Sequence, residues 1–113
     1  MKKIIKKIIK KILNSVSDKT ELLAIGAMLS KQQYLMSSTN INDYEFKIFS
    51  QWGDDGIIQY LIKNIKIKNE IFIEFGVEDY QESNTRFLMM NDNWAGFVMD
   101  GSDYNMKILK NQK

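Results

Sequence analysis

The sequence contains no cysteine, no histidine and no proline in 113 residues. Without cysteine it can form neither a disulfide nor a thiolate-ligated zinc site. Without histidine, a Ser-His-Asp triad and the commonest transition-metal ligand are also excluded. Because proline is absent, helices must be ended by Gly, Asn and Asp signals. We therefore predict no metal site, and the lack of cysteine fits a reducing cytoplasm.

The size and composition are those of one small globular domain, with 44% hydrophobic and 27% charged residues. The net charge of +2 is unevenly distributed, because residues 1–13 hold six lysines and no acid. The remaining 100 residues carry 10 basic and 14 acidic side chains, a net charge of −4. This mildly acidic body argues against a nucleic-acid-binding function.

The N-terminal segment repeats a Lys-Lys-Ile-Ile unit, MKKIIKKIIKKIL. On a helix the isoleucines share one broad face and most lysines the other. The segment is too charged and too short to span a bilayer, and lysines interrupt what would be the apolar core of a secretory signal. Two interpretations stay open. The helix lies on an anionic membrane surface through residues 2–13, or its apolar face packs on the domain or a partner. The second is favoured because lysine and isoleucine are abundant throughout the chain.

The pattern predicts N-terminal helices over residues 1–36, a polar linker over 37–45 and an incomplete α/β domain over 46–113. A break is expected at residues 14–17, and Asp18 with Glu21 resembles a capping box that opens a second helix ending near Met36. A further helix is predicted after the turn Gly53-Asp-Asp-Gly56.

The apolar runs at residues 71–75 and 95–99 are typical of strands buried on both faces. A short helix is predicted between them, from about Asn84 to Met90, and a last helix capped by Asp103 is predicted to reach Lys113. Strand, helix and strand in this order predict one right-handed βαβ unit with two parallel strands.

Both predicted strands end in an acid next to a glycine, Glu74-Phe-Gly76 and Asp100-Gly101. Ligands of open α/β sheets bind outside the carboxyl ends of the strands. Gly76 would let the backbone approach a ligand, and Asp100, 24 positions later, is placed to accept hydrogen bonds from a ribose diol. The alternative is that Asp100 only caps the next turn and Glu74 is solvated.

The loop after the first strand favours one class of nucleoside cofactor. It has a single glycine, Gly76, and three further acids, Glu78, Asp79 and Glu82. A dinucleotide site needs several glycines to seat a pyrophosphate, so NAD is the weaker interpretation. S-adenosylmethionine has no phosphate and carries a sulfonium, an ammonium and a carboxylate on an adenosine, and its net positive charge suits an acidic loop.

Four ordered blocks resemble the start of FkbM-like class I methyltransferases, over about residues 46–106. They are FSQWGDDGII from Phe49, IEFGV from Ile73, SNTRFL from Ser83 and WAGFVMDGS from Trp94. The resemblance implies the N-terminal portion of a Rossmann-like sheet, which has seven strands in the family. It places Glu74 and Gly76 in the first cofactor motif and Asp100 on the ribose hydroxyls of S-adenosylmethionine. Gln51 and Asp54 would border the cofactor or acceptor pocket, and Asn84 would help order the cofactor loop.

The resemblance implies methyl transfer to a glycan or small hydroxylated acceptor in bacterial polysaccharide biosynthesis. Glu78 and Tyr80 depart from it, because relatives commonly have glycines there. The later strands that complete the adenine pocket and acceptor site are missing, so no catalytic residue is assigned and the isolated chain is expected to be inactive. A different class also stays open, a non-enzymatic membrane-peripheral or helix-docking protein that uses residues 1–36.

Overall fold

The computed structural model describes the backbone of residues 2–111, and the side chains of residues 2–10 and 19–111. The chain is mixed α/β, as predicted, with a two-stranded parallel sheet preceded by helices. The helices and strands in chain order are α1 (Lys2–Gln32), α2 (Asp54–Asn64), β1 (Ile71–Phe75), α3 (Arg86–Asp92), β2 (Ala95–Met99) and α4 (Asp103–Asn111). Two 3-10 turns, Gln33–Leu35 and Ile41–Tyr44, lie between α1 and α2.

Helix α1 is continuous from Lys2 to Gln32, so the predicted break at residues 14–17 and the predicted helix start at Asp18 are wrong. Residues 14–17 read Asn-Ser-Val-Ser. These residue types cost only tenths of a kcal/mol each in a helix, roughly 0.7 at most, far less than proline. Extending an existing helix adds one hydrogen bond per residue, which is enough to carry it through such a stretch.

The core joins the C-terminal half of α1 to α3 and to the segment before α2. Its buried side chains are Ile48, Phe49 and Phe87, with Leu22, Leu23 and Phe46 packed around them. Phe46 meets Phe87 edge-on, with ring centroids 5.7 Å apart. Gly26 of α1 lies directly against the Phe87 ring, where a Cβ would overlap it. Residues 19–32 and the βαβ region therefore share one core.

Residues 37–45, predicted as a linker, contain the second 3-10 turn and a buried aromatic side chain. Tyr44 is 5% exposed and stacks on Tyr60 of α2 with ring centroids 4.0 Å apart. The backbone here also approaches α2 closely, because the Gly56 N–H donates to the Phe46 carbonyl at 3.0 Å. The turn thus packs against the start of α2.

Strands β1 and β2 pair in parallel from Ile71 with Ala95 to Phe75 with Met99. Phe72 and Val98 lie on one face of the sheet and line a mostly apolar cavity, which residues of α3 and α4 also line. The other face is open. Its large side chains are 40–69% exposed, namely Ile71, Ile73, Phe75, Phe97 and Met99. The prediction that both strands are buried on both faces is therefore wrong, because no element within residues 2–111 covers this second face.

Helix α4 begins at Asp103, but the predicted capping role of that residue is wrong. Ser102 is the cap, since its hydroxyl accepts the Asn105 N–H at 3.3 Å and its carbonyl accepts the Met106 N–H at 2.9 Å. The predicted helix end at Lys113 lies outside the described residues. Among those described, no helix combines the length and the apolarity needed to cross a bilayer.

Candidate functional site

The carboxyl ends of β1 and β2 lie side by side. Beyond the last strand pair, Phe75 with Met99, the Gly76 N–H donates to the Met99 carbonyl at 2.8 Å. This bond extends the ladder by one residue and brings Gly76 next to Asp100. Gly76 has a left-handed φ of 71°. A Cβ there, or at Gly101, would meet no described atom within 4 Å. The space over these strand ends is therefore open.

Asp100 accepts three hydrogen bonds from its surroundings. Its Oδ1 accepts the Glu78 N–H at 2.9 Å, and its Oδ2 accepts the Ser102 N–H and the Asn105 Nδ2, each at 3.0 Å. The hydrogen bond from Asn105, followed by those from Ser102 and Glu78, lowers the pKa of Asp100, so the side chain is a carboxylate at neutral pH. A carboxylate offers about four acceptor positions. One position, on Oδ1, remains for an outside hydroxyl.

Glu74 holds the start of α3. Its carboxylate accepts the backbone N–H groups of Asn84 and Thr85 at 3.0 Å each, and the Thr85 hydroxyl at 2.6 Å. The predicted site residues Glu74 and Asn84 thus meet, although Asn84 takes part through its backbone. Glu74 and Asp100 hold the same loop, residues 76–85, from its two ends.

The loop itself is folded against the body. Val77 is 1% exposed, and the buried Tyr80 shares a 2.8 Å hydrogen bond with the Thr85 hydroxyl. Burial raises the pKa of Tyr80, outweighing its hydrogen bonds with the Thr85 and Ser83 side chains, which lower it. Glu78 and Tyr80 have φ values of 52° and 66°. These left-handed conformations cost an L-residue roughly 1–2 kcal/mol each, so the loop has a glycine-like backbone at two positions that are not glycine.

The segment that carries Gln51 and Asp54 lies along the other end of the loop. The Ser83 N–H donates to the Phe49 carbonyl at 3.0 Å, and the Arg86 guanidinium stands 4.3 Å from the centroid of the Phe49 ring. Gln51 is exposed and Asp54 half-buried, just beyond this contact. The four sequence blocks thus meet around residues 76–86.

Asp55, the neighbour of Asp54 in the predicted turn before α2, is a structural residue whose burial the sequence did not indicate. Its Oδ2 accepts the N–H groups of Ile48 and Phe49 at 2.7 Å each and of Ser50 at 2.9 Å, and also accepts the Ser50 hydroxyl at 3.0 Å. Two adjacent acids at a helix start give no hint of which one is buried; only the packing decides that. Within the described residues, no group of three or more acids could hold a metal ion.

A polar network joins the end of α1 and the 3-10 turn Gln33–Leu35 to α2. Gln33 donates to the Tyr44 and Gly56 carbonyls at 2.9 and 2.8 Å. Lys63 donates to the Ser30 hydroxyl at 2.8 Å, to Gln33 Oε1 at 3.0 Å and to the Ser30 carbonyl. The Ser30 hydroxyl donates to Gln59 at 2.6 Å.

The adjoining polar cavity, of about 370 Å³, is lined in part by Gln33, Tyr44, Tyr60 and Lys63. Burial lowers the pKa of Lys63, against an opposing contribution from Asp92. All three ammonium protons of Lys63 are already used inside the protein. This network is therefore structural, and Lys63 has no donor left for a ligand.

No protein-family model matches the chain, and neither the curated proteins nor the solved structures contain a match.

Proposed function

We propose that this chain carries the cofactor-binding start of an S-adenosylmethionine-dependent, FkbM-like methyltransferase that acts on a glycan or another small hydroxylated acceptor. The observation that carries the proposal is the position of Gly76 beside Asp100 at the carboxyl edge of two parallel strands, where the Gly76 N–H bonds to the Met99 carbonyl under open space. Carboxyl edges of such sheets are where nucleoside cofactors bind.

The chemistry of Asp100 supports a ribose ligand. It is ionised at neutral pH and has one acceptor position free. A hydrogen bond to a charged acceptor is stronger than one between neutral groups. Asn105 occupies a further position on Oδ2, so binding both hydroxyls of a ribose requires the Asn105 amide to move aside.

The loop backbone supports the choice of family. Glu78 and Tyr80 stand where the resembling family commonly has glycine, and both adopt the left-handed conformation that glycine adopts readily. The loop also keeps acids at Glu78, Asp79 and Glu82. Negative charge favours the sulfonium and ammonium of S-adenosylmethionine and disfavours a pyrophosphate.

The role of the residues named above is to bind the cofactor. S-adenosylmethionine supplies an electrophilic methyl group, and transfer to an acceptor oxygen depends on in-line positioning and usually on a general base. Two strands do not form the adenine pocket and acceptor site that later strands build in the family. No catalytic residue is assigned.

The test is calorimetric titration of the folded chain with S-adenosylhomocysteine, the stable product form, and with NAD as the control ligand. We expect binding of the first and not of the second. Asp100→Asn should weaken binding roughly tenfold or more, as expected for losing a charged acceptor. Asn105→Ala should leave binding unchanged or tighter, because it frees an acceptor position on Asp100.

Two outcomes would overturn the proposal. One is no binding of S-adenosylhomocysteine to the folded wild type at millimolar concentration. The other is equal weakening by Asp100→Asn and Asn105→Ala, since that result would mean that Asp100 acts only by holding Ser102 and α4.

A further inference from the structure

Residues 2–10, here named the arm, form the exposed start of α1. Every residue of the arm is exposed, and Ile4, Ile5, Ile8 and Ile9 are 50–63% exposed. The interpretation in which these isoleucines pack on the domain is therefore wrong for the described residues. An exposed apolar face of four isoleucines marks a surface that binds a protein or a membrane.

The charge of the arm indicates what binds to this face. The arm has five lysines and no acid, and the first turn of α1 contains no acidic residue. Lysines at the N-terminal end of a helix oppose the helix dipole. Like charges four positions apart, such as Lys2 and Lys6, also repel. An anionic surface would offset both the unfavourable dipole interaction and the repulsion between lysines. The arm of a second copy would instead double the number of lysines and increase the repulsion.

The two faces of the arm are cleanly separated. At 3.6 residues per turn the four isoleucines span about 140° of the helix circumference and the five lysines about 140°, with centres about 160° apart. Isoleucines can then enter the acyl boundary while lysine side chains reach the headgroups. We propose that the arm binds the surface of an anionic lipid bilayer.

The position of the body determines how the arm meets the bilayer. At the same helical spacing, Leu22 and Leu23 continue the isoleucine face and pack on the core. Leu22 lies about 27 Å along the helix from Ile4. Because the body occupies this face, a straight helix meets the bilayer inclined, tip first. Ile4 and Ile5 then lie deeper than Ile8 and Ile9.

The first experiment measures co-sedimentation of the full chain with vesicles of phosphatidylcholine alone or with one quarter phosphatidylglycerol. We expect binding only to the anionic vesicles, weakening with added salt. Lys3→Gln and Lys7→Gln should each lower the partition coefficient about fivefold. Lys107→Gln, the same charge change on exposed α4, should change it less than twofold. Ile5→Ser should weaken binding, and Leu35→Ser, at an 87% exposed position of the body, should not.

The second experiment exploits the absence of cysteine. An environment-sensitive fluorophore on Ile5→Cys should shift to the blue on anionic vesicles more than one on Ile9→Cys, and one on Leu35→Cys should not shift. The side chains changed in the arm are exposed, so we expect each variant to fold like the wild type. An unchanged circular dichroism spectrum verifies this.

Three results would overturn the inference. The first is absent binding, or equal binding to neutral and anionic vesicles. The second is concentration-dependent self-association that Ile5→Ser abolishes without any vesicle binding, which would assign the arm to a second copy. The third is tight binding to poly-glutamate without vesicle binding, which would assign it to an acidic protein surface.

Discussion

Asp55 organises the segment before α2 through a single carboxylate oxygen. Three consecutive N–H groups, from Ile48 to Ser50, point at its Oδ2. The residue is 1% exposed, so water cannot replace the carboxylate without opening the core. A buried donor left without an acceptor costs roughly 1–3 kcal/mol.

We predict that Asp55→Ala lowers the free energy of unfolding by about 3 kcal/mol or more, because it orphans several buried donors at once. Asp54→Ala removes the same group one residue earlier, at a half-buried position in the first helical turn. It should cost no more than about 1 kcal/mol, mainly through the helix dipole. Urea unfolding of both variants measures the difference, and equal losses would contradict this assignment.

At the scale of elements, the backbone of α2 at Gly56 lies in direct contact with the backbone of residues 44–46. A Cβ on Gly56 would lie within 3.0 Å of the Tyr44 carbonyl oxygen and the Phe46 nitrogen. Neither atom is at the end of a flexible side chain, so the helix itself would have to move away. Movement would also stretch the hydrogen bonds from Gly56 to Phe46 and from Gln33 to Gly56.

Gly56→Ala should therefore destabilise the fold by about 3 kcal/mol, at the upper end of the usual cost of overpacking. Gly101→Ala is the matched control, since its Cβ would enter open space. That variant should change the free energy of unfolding by less than about 1 kcal/mol. Thermal unfolding followed by circular dichroism compares the two, and a tolerated Gly56→Ala would show that α2 can shift freely.

Periodicity predicted the positions of β1, β2, α2 and α3 because apolar runs between polar turns are local signals. It failed for α1, where weak helix formers at residues 14–17 resembled a break that helix propagation overrides. It also failed for the sheet faces, since an apolar strand sequence cannot show whether a second layer covers it.

The geometry of the candidate site was predictable to a similar degree. Chain order and parallel pairing were enough to bring Gly76 beside Asp100. The roles of Thr85, Asn105 and Asp55 depend on contacts between residues up to 11 positions apart, and they lack a motif in the sequence. Hydrogen bonds of this kind are specified by packing rather than by local pattern.

At the scale of the whole molecule, the open face of the sheet is a large apolar surface. Ile71, Ile73 and Phe75 are 62–69% exposed, and Phe97 across the sheet is 54% exposed. Contiguous apolar patches of this kind promote association, and strand edges without a partner add to the tendency. The described residues therefore form a surface suited to further layers of structure.

We predict that the isolated chain self-associates at micromolar concentration and that Ile73→Thr shifts the equilibrium toward monomer, because it places a hydroxyl in the centre of the open face. Ile65→Thr makes the same change at a 52% exposed position after α2 and should leave association unchanged. Sedimentation velocity of the three proteins decides. A monomeric wild type, or equal effects of the two substitutions, would contradict the prediction.

The polar network between α1 and α2 also sets how far α1 projects from the body. Sliding α1 by one turn would separate Ser30 and Gln33 from Lys63 and Gln59, leaving several buried groups without partners. These bonds fix the position of Ser30, so the length of α1 that projects from the body depends only on the number of residues before Ser30. One residue added within positions 14–17 would lengthen the projection by about 1.5 Å and turn its isoleucines by about 100°. The number of residues between the arm and Ser30 therefore determines the direction in which the isoleucine face of the arm points.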